Sequence, residues 1–153
     1  MGEKVKYHGG HALCDHPILR RWRNEGRLVW ICPETSAGFP TPRPPAEIMS
    51  GSGDDVLKAT SNVLEDNGRD VTEGYVAGAQ AALRTARTHG IRLAILKEES
   101  PSCGSEVIYD GSFSGKRKKG RGVTAALLEQ NGIRVFSEDR IEDAEILLKK
   151  LES

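Results

Sequence analysis

Two cysteines that follow short apolar runs are the first candidates for chemistry. The run Leu28–Ile31 ends at Cys32, and the run Leu93–Leu96 is followed by a polar loop that carries Cys103. Such runs are typical of buried parallel strands, and open α/β sheets bind ligands at the carboxyl ends of their strands. We therefore expect both thiols at one edge of one sheet, as reactive groups or as ligands of a metal cluster. A cysteine at a strand end can equally be a small buried apolar residue.

Glu34 stands two residues after Cys32. A carboxylate in such a place is usually a solvated surface group. Beside a metal and a substrate it can instead act as a general acid or base, provided that desolvation raises its pKa.

A dense group of histidines lies near the amino terminus, with His8, His11, Cys14 and His16 at spacings that zinc ligands also show. The stretch includes two consecutive glycines and has no second ligand pair at a defined distance. Coincidence is the preferred interpretation.

A basic segment, Lys116–Arg121, precedes a predicted helix that begins near Gly122. Helix amino termini bind anions through unpaired amides and the helix dipole, so Lys116, Arg121, Gly122 and Thr124 are predicted to bind a nucleotide phosphate. A flexible, solvated loop is the alternative.

The totals restrict the class of protein. The 153 residues suffice for one domain with a core. Basic and acidic residues balance at 22 each, so no duplex nucleic acid or anionic membrane surface is called for. There is no apolar run near twenty residues and no charged-then-apolar leader, and three cysteines fit a reducing cytoplasm better than a disulfide framework.

Helical periodicity alternates with short apolar runs, which predicts an α/β fold: a Rossmann-like, mainly parallel sheet flanked by helices in a single domain over residues 1–153. The proline-rich stretch 33–50 cannot supply a central strand. The remaining expectations are a loop over 1–12, helices over 17–25, 72–86, 122–130 and 144–151, a hairpin or irregular excursion over 54–66, and a third strand over 133–136.

Four motifs together resemble the thiouracil desulfurase family, also called TudS-like. They are Cys32-Pro-Glu-Thr-Ser-Ala-Gly-Phe-Pro-Thr-Pro-Arg-Pro-Pro-Ala-Glu47-Ile, Gly68-Arg-Asp-Val-Thr72, Leu96-Lys-Glu-Glu-Ser-Pro-Ser-Cys-Gly104 and Ile108-Tyr-Asp-Gly-Ser-Phe-Ser-Gly115. The resemblance extends over nearly the whole chain.

The resemblance implies a 4Fe-4S cluster held by three cysteines, with the fourth iron open. It also implies removal of sulfur from thiolated uracil or 4-thiouridine monophosphate, with water attacking the carbon and sulfide leaving on the open iron. Cys32 and Cys103 match two of the cluster ligands. Glu34 and a serine, Ser100 or Ser102, match the proposed catalytic positions. Arg43, in the first motif, is expected to bind substrate with the basic segment.

The third family ligand is not matched in this sequence. In the family it comes from a Cys-Leu-Leu/Met-Gly segment at the end of the first strand, whereas this chain starts Met1-Gly2-Glu3 and Cys14 matches no ligand. The sheet is accordingly expected to lack the first strand.

Two alternatives remain open at this point. One is a cluster-free redox or sulfur-handling protein in which Cys103 is a low-pKa thiolate. The other is a non-catalytic nucleotide-binding module that uses only the basic segment.

Overall fold

A computed structural model describes residues 5–7, 17–24, 28–30, 45–96, 107–137 and 140–152. The strands of these ranges are β1 (Val5–Tyr7), β2 (Leu28–Trp30), β3 (Ala46–Ile48), β4 (Val63–Glu65), β5 (Leu93–Leu96), β6 (Val107–Tyr109), β7 (Arg117–Lys119) and β8 (Arg134–Ser137). The helices are α1 (Pro17–Asn24), α2 (Gly53–Leu57), α3 (Thr72–Thr88), α4 (Val123–Gln130) and α5 (Ile141–Glu152).

Four strands form a parallel sheet in the order β2-β1-β5-β8. Strands β3 and β4 form an antiparallel pair, and β6 and β7 form another. The predicted α/β fold with a parallel sheet is therefore confirmed. In the described ranges no helix has the length and apolar character needed to cross a membrane.

Strand β5 is buried on both faces, which explains its continuous apolar sequence. Leu93 and Ile95 pack with residues of α1, β8 and α5 in one core cluster. Ala94 and Leu96 pack with residues of α3 and α4 in a second cluster on the other face. Helices thus cover both sides of the sheet, as expected for parallel strands.

A third core cluster joins the two small sheets to the helices. Its members come from β3, β4, β6 and the helices α2, α3 and α4: Ile48, Val56, Val63, Val71, Tyr75, Ala79, Ile108 and Val123. Helix α3 begins where Asp70 accepts hydrogen bonds from the Thr72 amide and hydroxyl, as the sequence predicts. Tyr75, Ala79, Ala82, Leu83 and Ala86, which recur at the three- and four-residue spacing of one helical face, are buried; Val76 on the same side is half-buried.

Three predictions about local structure are wrong. Residues 1–12 do not form only a loop, because Val5–Tyr7 is strand β1 and lies between β2 and β5. The absence of the family's own first strand stays a prediction. Residues 54–66 are not a hairpin. Residues 54–57 lie in helix α2, whose first turn is stabilised when the Asp55 carboxylate accepts the Ser52 amide at 2.8 Å. A turn then leads to strand β4 at residues 63–65.

The third wrong prediction concerns the basic segment. Arg117–Lys119 is a strand, not a loop, and pairs in register with Val107–Tyr109. A run of cations fits an edge position of a two-stranded hairpin because the charges remain in water.

Candidate active site

The two strands that precede the candidate cysteines end at the same edge of the sheet. Both β2 and β5 pair in parallel with β1, and Trp30 and Ile95 are both aligned with Tyr7. The chain therefore leaves β2 two residues before Cys32, and leaves β5 toward Cys103, from one side of the molecule. This arrangement of strands was predicted and is confirmed.

The chemical groups themselves lie outside the described residues. They are Cys32, Glu34, Arg43, Ser100, Ser102 and Cys103, together with the histidine-rich group His8, His11, Cys14 and His16. Their roles stay predictions. Within the described ranges no three His, Cys, Asp or Glu side chains are grouped so that they could hold a metal ion.

The Arg121 guanidinium is engaged by a carboxylate. Its Nε and Nη2 atoms donate to the two oxygens of Asp54 at 3.1 and 2.9 Å, and Gln130 Nε2 donates to Asp54 Oδ1 at 3.0 Å. The hydrogen bond from Arg121 is the main reason why the pKa of Asp54 falls from 3.8 to about 2. The charge of Arg121 is thus balanced within the protein.

The amino terminus of α4 is covered by α2. The Gly53 amide donates to the Arg121 carbonyl at 2.7 Å, and a Cβ on Gly53 would lie 2.2 Å from the Gly122 oxygen. Gly122 is buried and Thr124 is fully buried. Phosphate binding by Arg121, Gly122 and Thr124 stays a prediction. Lys116, the fourth residue predicted to bind the phosphate, is exposed.

The turn between β6 and β7 is held by Glu47, a residue that sequence reasoning did not single out. Glu47 Oε1 accepts the amides of Gly111 at 2.9 Å and Phe113 at 3.2 Å, although Glu47 is only 8% exposed. The turn exposes Phe113 and places Lys116 immediately before β7. The sequence signal was weak: Glu47 and Phe113 were noted only as parts of long motifs.

Asp110 orders the polar side of the same turn. Its carboxylate accepts the amide and hydroxyl of Ser112, and the hydroxyl hydrogen bond is the main cause of a lowered pKa for Asp110. The Ser112 and Ser114 hydroxyls are hydrogen-bonded to each other. The turn thus displays an aromatic ring, two hydroxyls and a carboxylate to solvent.

A parallel sheet in which β2 and β5 end at one edge, each ahead of a candidate cysteine in the sequence, defines an α/β protein with a candidate thiol site at that edge. The sequence model of the 2-thiouracil desulfurase family matches residues 1–140, and the chain belongs to this family. The family resemblance predicted from the motifs is confirmed.

Two relatives extend this result. The chain is similar to YbbK of Bacillus subtilis (strain 168), described as uncharacterized, with 48% identity over 142 residues and 93% of each protein covered. Its fold is similar to a solved structure of the 4Fe-4S-dependent thiouracil desulfidase TudS, with a TM-score of 0.84 and 37% identity. That match covers 96% of this chain and 98% of the other.

Proposed function

We propose that this protein is an iron–sulfur-dependent desulfurase that removes sulfur from thiolated uracil or from 4-thiouridine monophosphate. Membership of the 2-thiouracil desulfurase family and the likeness to TudS support this reaction class. The observation that carries the proposal for this chain is the parallel pairing of β2 and β5 with β1.

Two of the three cysteine ligands that the family resemblance implies are present in this chain. Cys32 and Cys103 would supply two thiolates, which are the usual protein ligands of such clusters. The shared strand edge is where two loops can approach one cofactor. When bound, the cluster supplies an open iron that acts as a Lewis acid toward a thiocarbonyl sulfur.

The residues of the chain have separate roles in this proposal. Glu34 takes a proton from the water that attacks the carbon bearing sulfur, since a carboxylate with a raised pKa is suited to that step. Ser100 or Ser102 orients the water or the ring carbonyl. Lys116, which is exposed, attracts a substrate phosphate, with Arg43 and the α4 region as further candidates. No external electron donor is needed, because the carbon–sulfur bond is exchanged for a carbon–oxygen bond.

The test is anaerobic reconstitution of the protein with iron and sulfide, followed by assay with 2-thiouracil, 4-thiouridine and 4-thiouridine monophosphate. We expect broad visible absorbance, release of sulfide and formation of the oxygenated pyrimidine. Cys103→Ser should lose the absorbance and the activity, whereas Cys14→Ser serves as the matched control and should keep both. Glu34→Gln should keep the absorbance and the substrate affinity while sulfide release falls by about 10²- to 10⁴-fold.

Each alternative predicts a different result. Sulfide release without the visible absorbance would favour the cluster-free cysteine protein. Tight nucleotide binding with neither absorbance nor turnover would favour the non-catalytic module. Full turnover by Glu34→Gln would refute the role of Glu34, and equal affinity for 4-thiouridine and its monophosphate would remove the basic segment from the site.

A further inference from the structure

Phe113 is an aromatic residue presented to solvent from a strained backbone. Its φ is +56°, in the left-handed region that bulky residues avoid. Its side chain is 37% exposed, and among the described residues Ile146 is the other exposed large hydrophobic. The positive φ and the exposed aromatic ring both cost free energy in the unbound protein. Backbone outliers of this kind cluster at functional sites, so Phe113 is a candidate functional residue.

The fold imposes this conformation. The buried Glu47 carboxylate accepts the amides on either side of Ser112, those of Gly111 and Phe113. Gly111 has a φ of +94°, and a Cβ there would lie 2.7 Å from the Ile48 oxygen and 2.9 Å from the Met49 oxygen. Strand β3 therefore fixes the turn through one side chain and through close backbone contact, so the ring is held in place before any ligand arrives.

The surroundings of the ring fit a small polar aromatic ligand better than a protein surface. Ser112 and Ser114 place hydroxyls on either side of Phe113 in the sequence, and Lys116 supplies positive charge next to them. A protein interface usually requires a wider apolar patch. The Asp110 carboxylate of this turn is already engaged by the Ser112 amide and hydroxyl. A single ring flanked by hydroxyls and the Lys116 cation is suited to a flat heterocycle that carries a phosphate.

We propose that Phe113 stacks on the pyrimidine ring of the substrate, and that Glu47 is the residue that positions it. This inference depends on the proposed function, since it assigns a contact to the thiolated pyrimidine. Stacking would use a ring whose position is already fixed, so little side-chain freedom is lost on binding. Stacking would also explain why the buried carboxylate of Glu47 accepts hydrogen bonds from a turn at the surface.

The test measures binding of 4-thiouridine monophosphate to the whole chain without added iron, so that turnover does not compete. We expect saturable binding and reduced absorbance of the thiopyrimidine, the optical sign of stacking. Phe113→Tyr and Phe113→Trp should keep both. Phe113→Leu should weaken binding by about 5- to 150-fold, the range for one base–aromatic stack, and should lose the absorbance change even at saturation.

Two further variants separate stacking from general effects. Ile146→Ala, at the other exposed hydrophobic, should leave affinity and absorbance unchanged. Glu47→Ala should weaken binding, whereas Glu47→Gln, whose carbonyl can still accept both amides, should restore most of it. This rescue distinguishes positioning from any need for the carboxylate charge at the ligand.

The result that overturns the inference is unchanged affinity and absorbance in Phe113→Leu. An equal loss of affinity in the Tyr, Trp and Leu variants would also overturn it, because the ring would then only fill space. A change of oligomeric state in Phe113→Leu would overturn it as well, because the ring would then contact a second copy of the chain. Failure of the proposed function looks different: the reconstituted protein would release no sulfide while the stacking signal persisted. If the protein releases sulfide and Phe113→Leu has the same KM, the stacking inference fails alone.

Discussion

Replacing Asp54 by asparagine should lower the free energy of unfolding, because it removes the ion pair with Arg121. Asp54 accepts hydrogen bonds from Nε and Nη2 of Arg121 and also from Gln130 and Ser52. The fall of its pKa from 3.8 to about 2 corresponds to at most about 2.5 kcal/mol of folding free energy at neutral pH. Because the Arg121 and Asp54 side chains are 35% and 27% exposed, solvent screening reduces the expected loss in Asp54→Asn to about 1–1.5 kcal/mol.

The contribution of Asp54 depends on pH in a direction that the lowered pKa fixes. A carboxyl whose pKa is lower in the folded state stabilises the protein above its unfolded pKa, and the stabilisation is lost as the pH falls toward the folded pKa. The difference between wild type and Asp54→Asn should therefore be complete above about pH 5 and reduced by about half near pH 3.

The assay is urea unfolding followed by circular dichroism at pH 7, 5 and 3, with Asp143→Asn as the matched control. Asp143 pairs with Arg140 at 3.0 Å, but both side chains are about half exposed, so its replacement should change the free energy of unfolding by less than about 0.5 kcal/mol. Equal effects of the two variants at pH 7, or an effect of Asp54→Asn that does not vary with pH, would refute the reasoning.

Two further replacements test the contacts that fix the β6–β7 turn and the approach of α2 to α4. Glu47→Ala should reduce the free energy of unfolding by about 2–4 kcal/mol, because two amides lose a charged acceptor and a buried space is left; Glu47→Gln should lose less than half as much. Gly53→Ala should lose at least about 2 kcal/mol, since its Cβ would meet backbone atoms of Gly122 and Val123 at 2.2–2.6 Å. Gly90→Ala, at a glycine with φ +64° and open space around it, should lose only about 1 kcal/mol.

Urea unfolding also checks these two predictions. If Glu47→Gln is as unstable as Glu47→Ala, the two amide hydrogen bonds are not what Glu47 contributes. If Gly53→Ala and Gly90→Ala lower the free energy of unfolding by the same amount, the close contact between α2 and α4 does not contribute to the stability of the protein.

Strands β2, β5 and β8 of the parallel sheet were predictable because they carry a strong local signal. Leu93–Leu96 is apolar at every position, as a strand covered by helices on both faces must be, and α3 shows the helical period along its buried face. The family motifs also point to the correct class before any coordinates. At such positions the residue is apolar because it is buried, so the sequence alone predicts the burial.

The contacts that could not be predicted join residues that are distant in the sequence. Glu47 and Phe113, or Asp54 and Arg121, show no local pattern that pairs them. Short elements were also missed: Val5–Tyr7 has three residues with a lysine in the middle, and Arg117–Lys119 is entirely basic. Both are strands because of the neighbours they pair with, and tertiary context overrides weak local preference in strands.

The strand order also has a consequence during synthesis. Residues 5–7 leave the ribosome well before β5 (Leu93–Leu96), yet the two strands pair in the folded protein. Until then β2 is, among the strands that the structure describes, the one that can pair with β1, and the side of β1 that β5 later covers has no partner from these strands. Early assistance by chaperones, or a pause in translation before residue 93, would therefore affect the yield of correctly folded protein more than a delay near the carboxyl terminus.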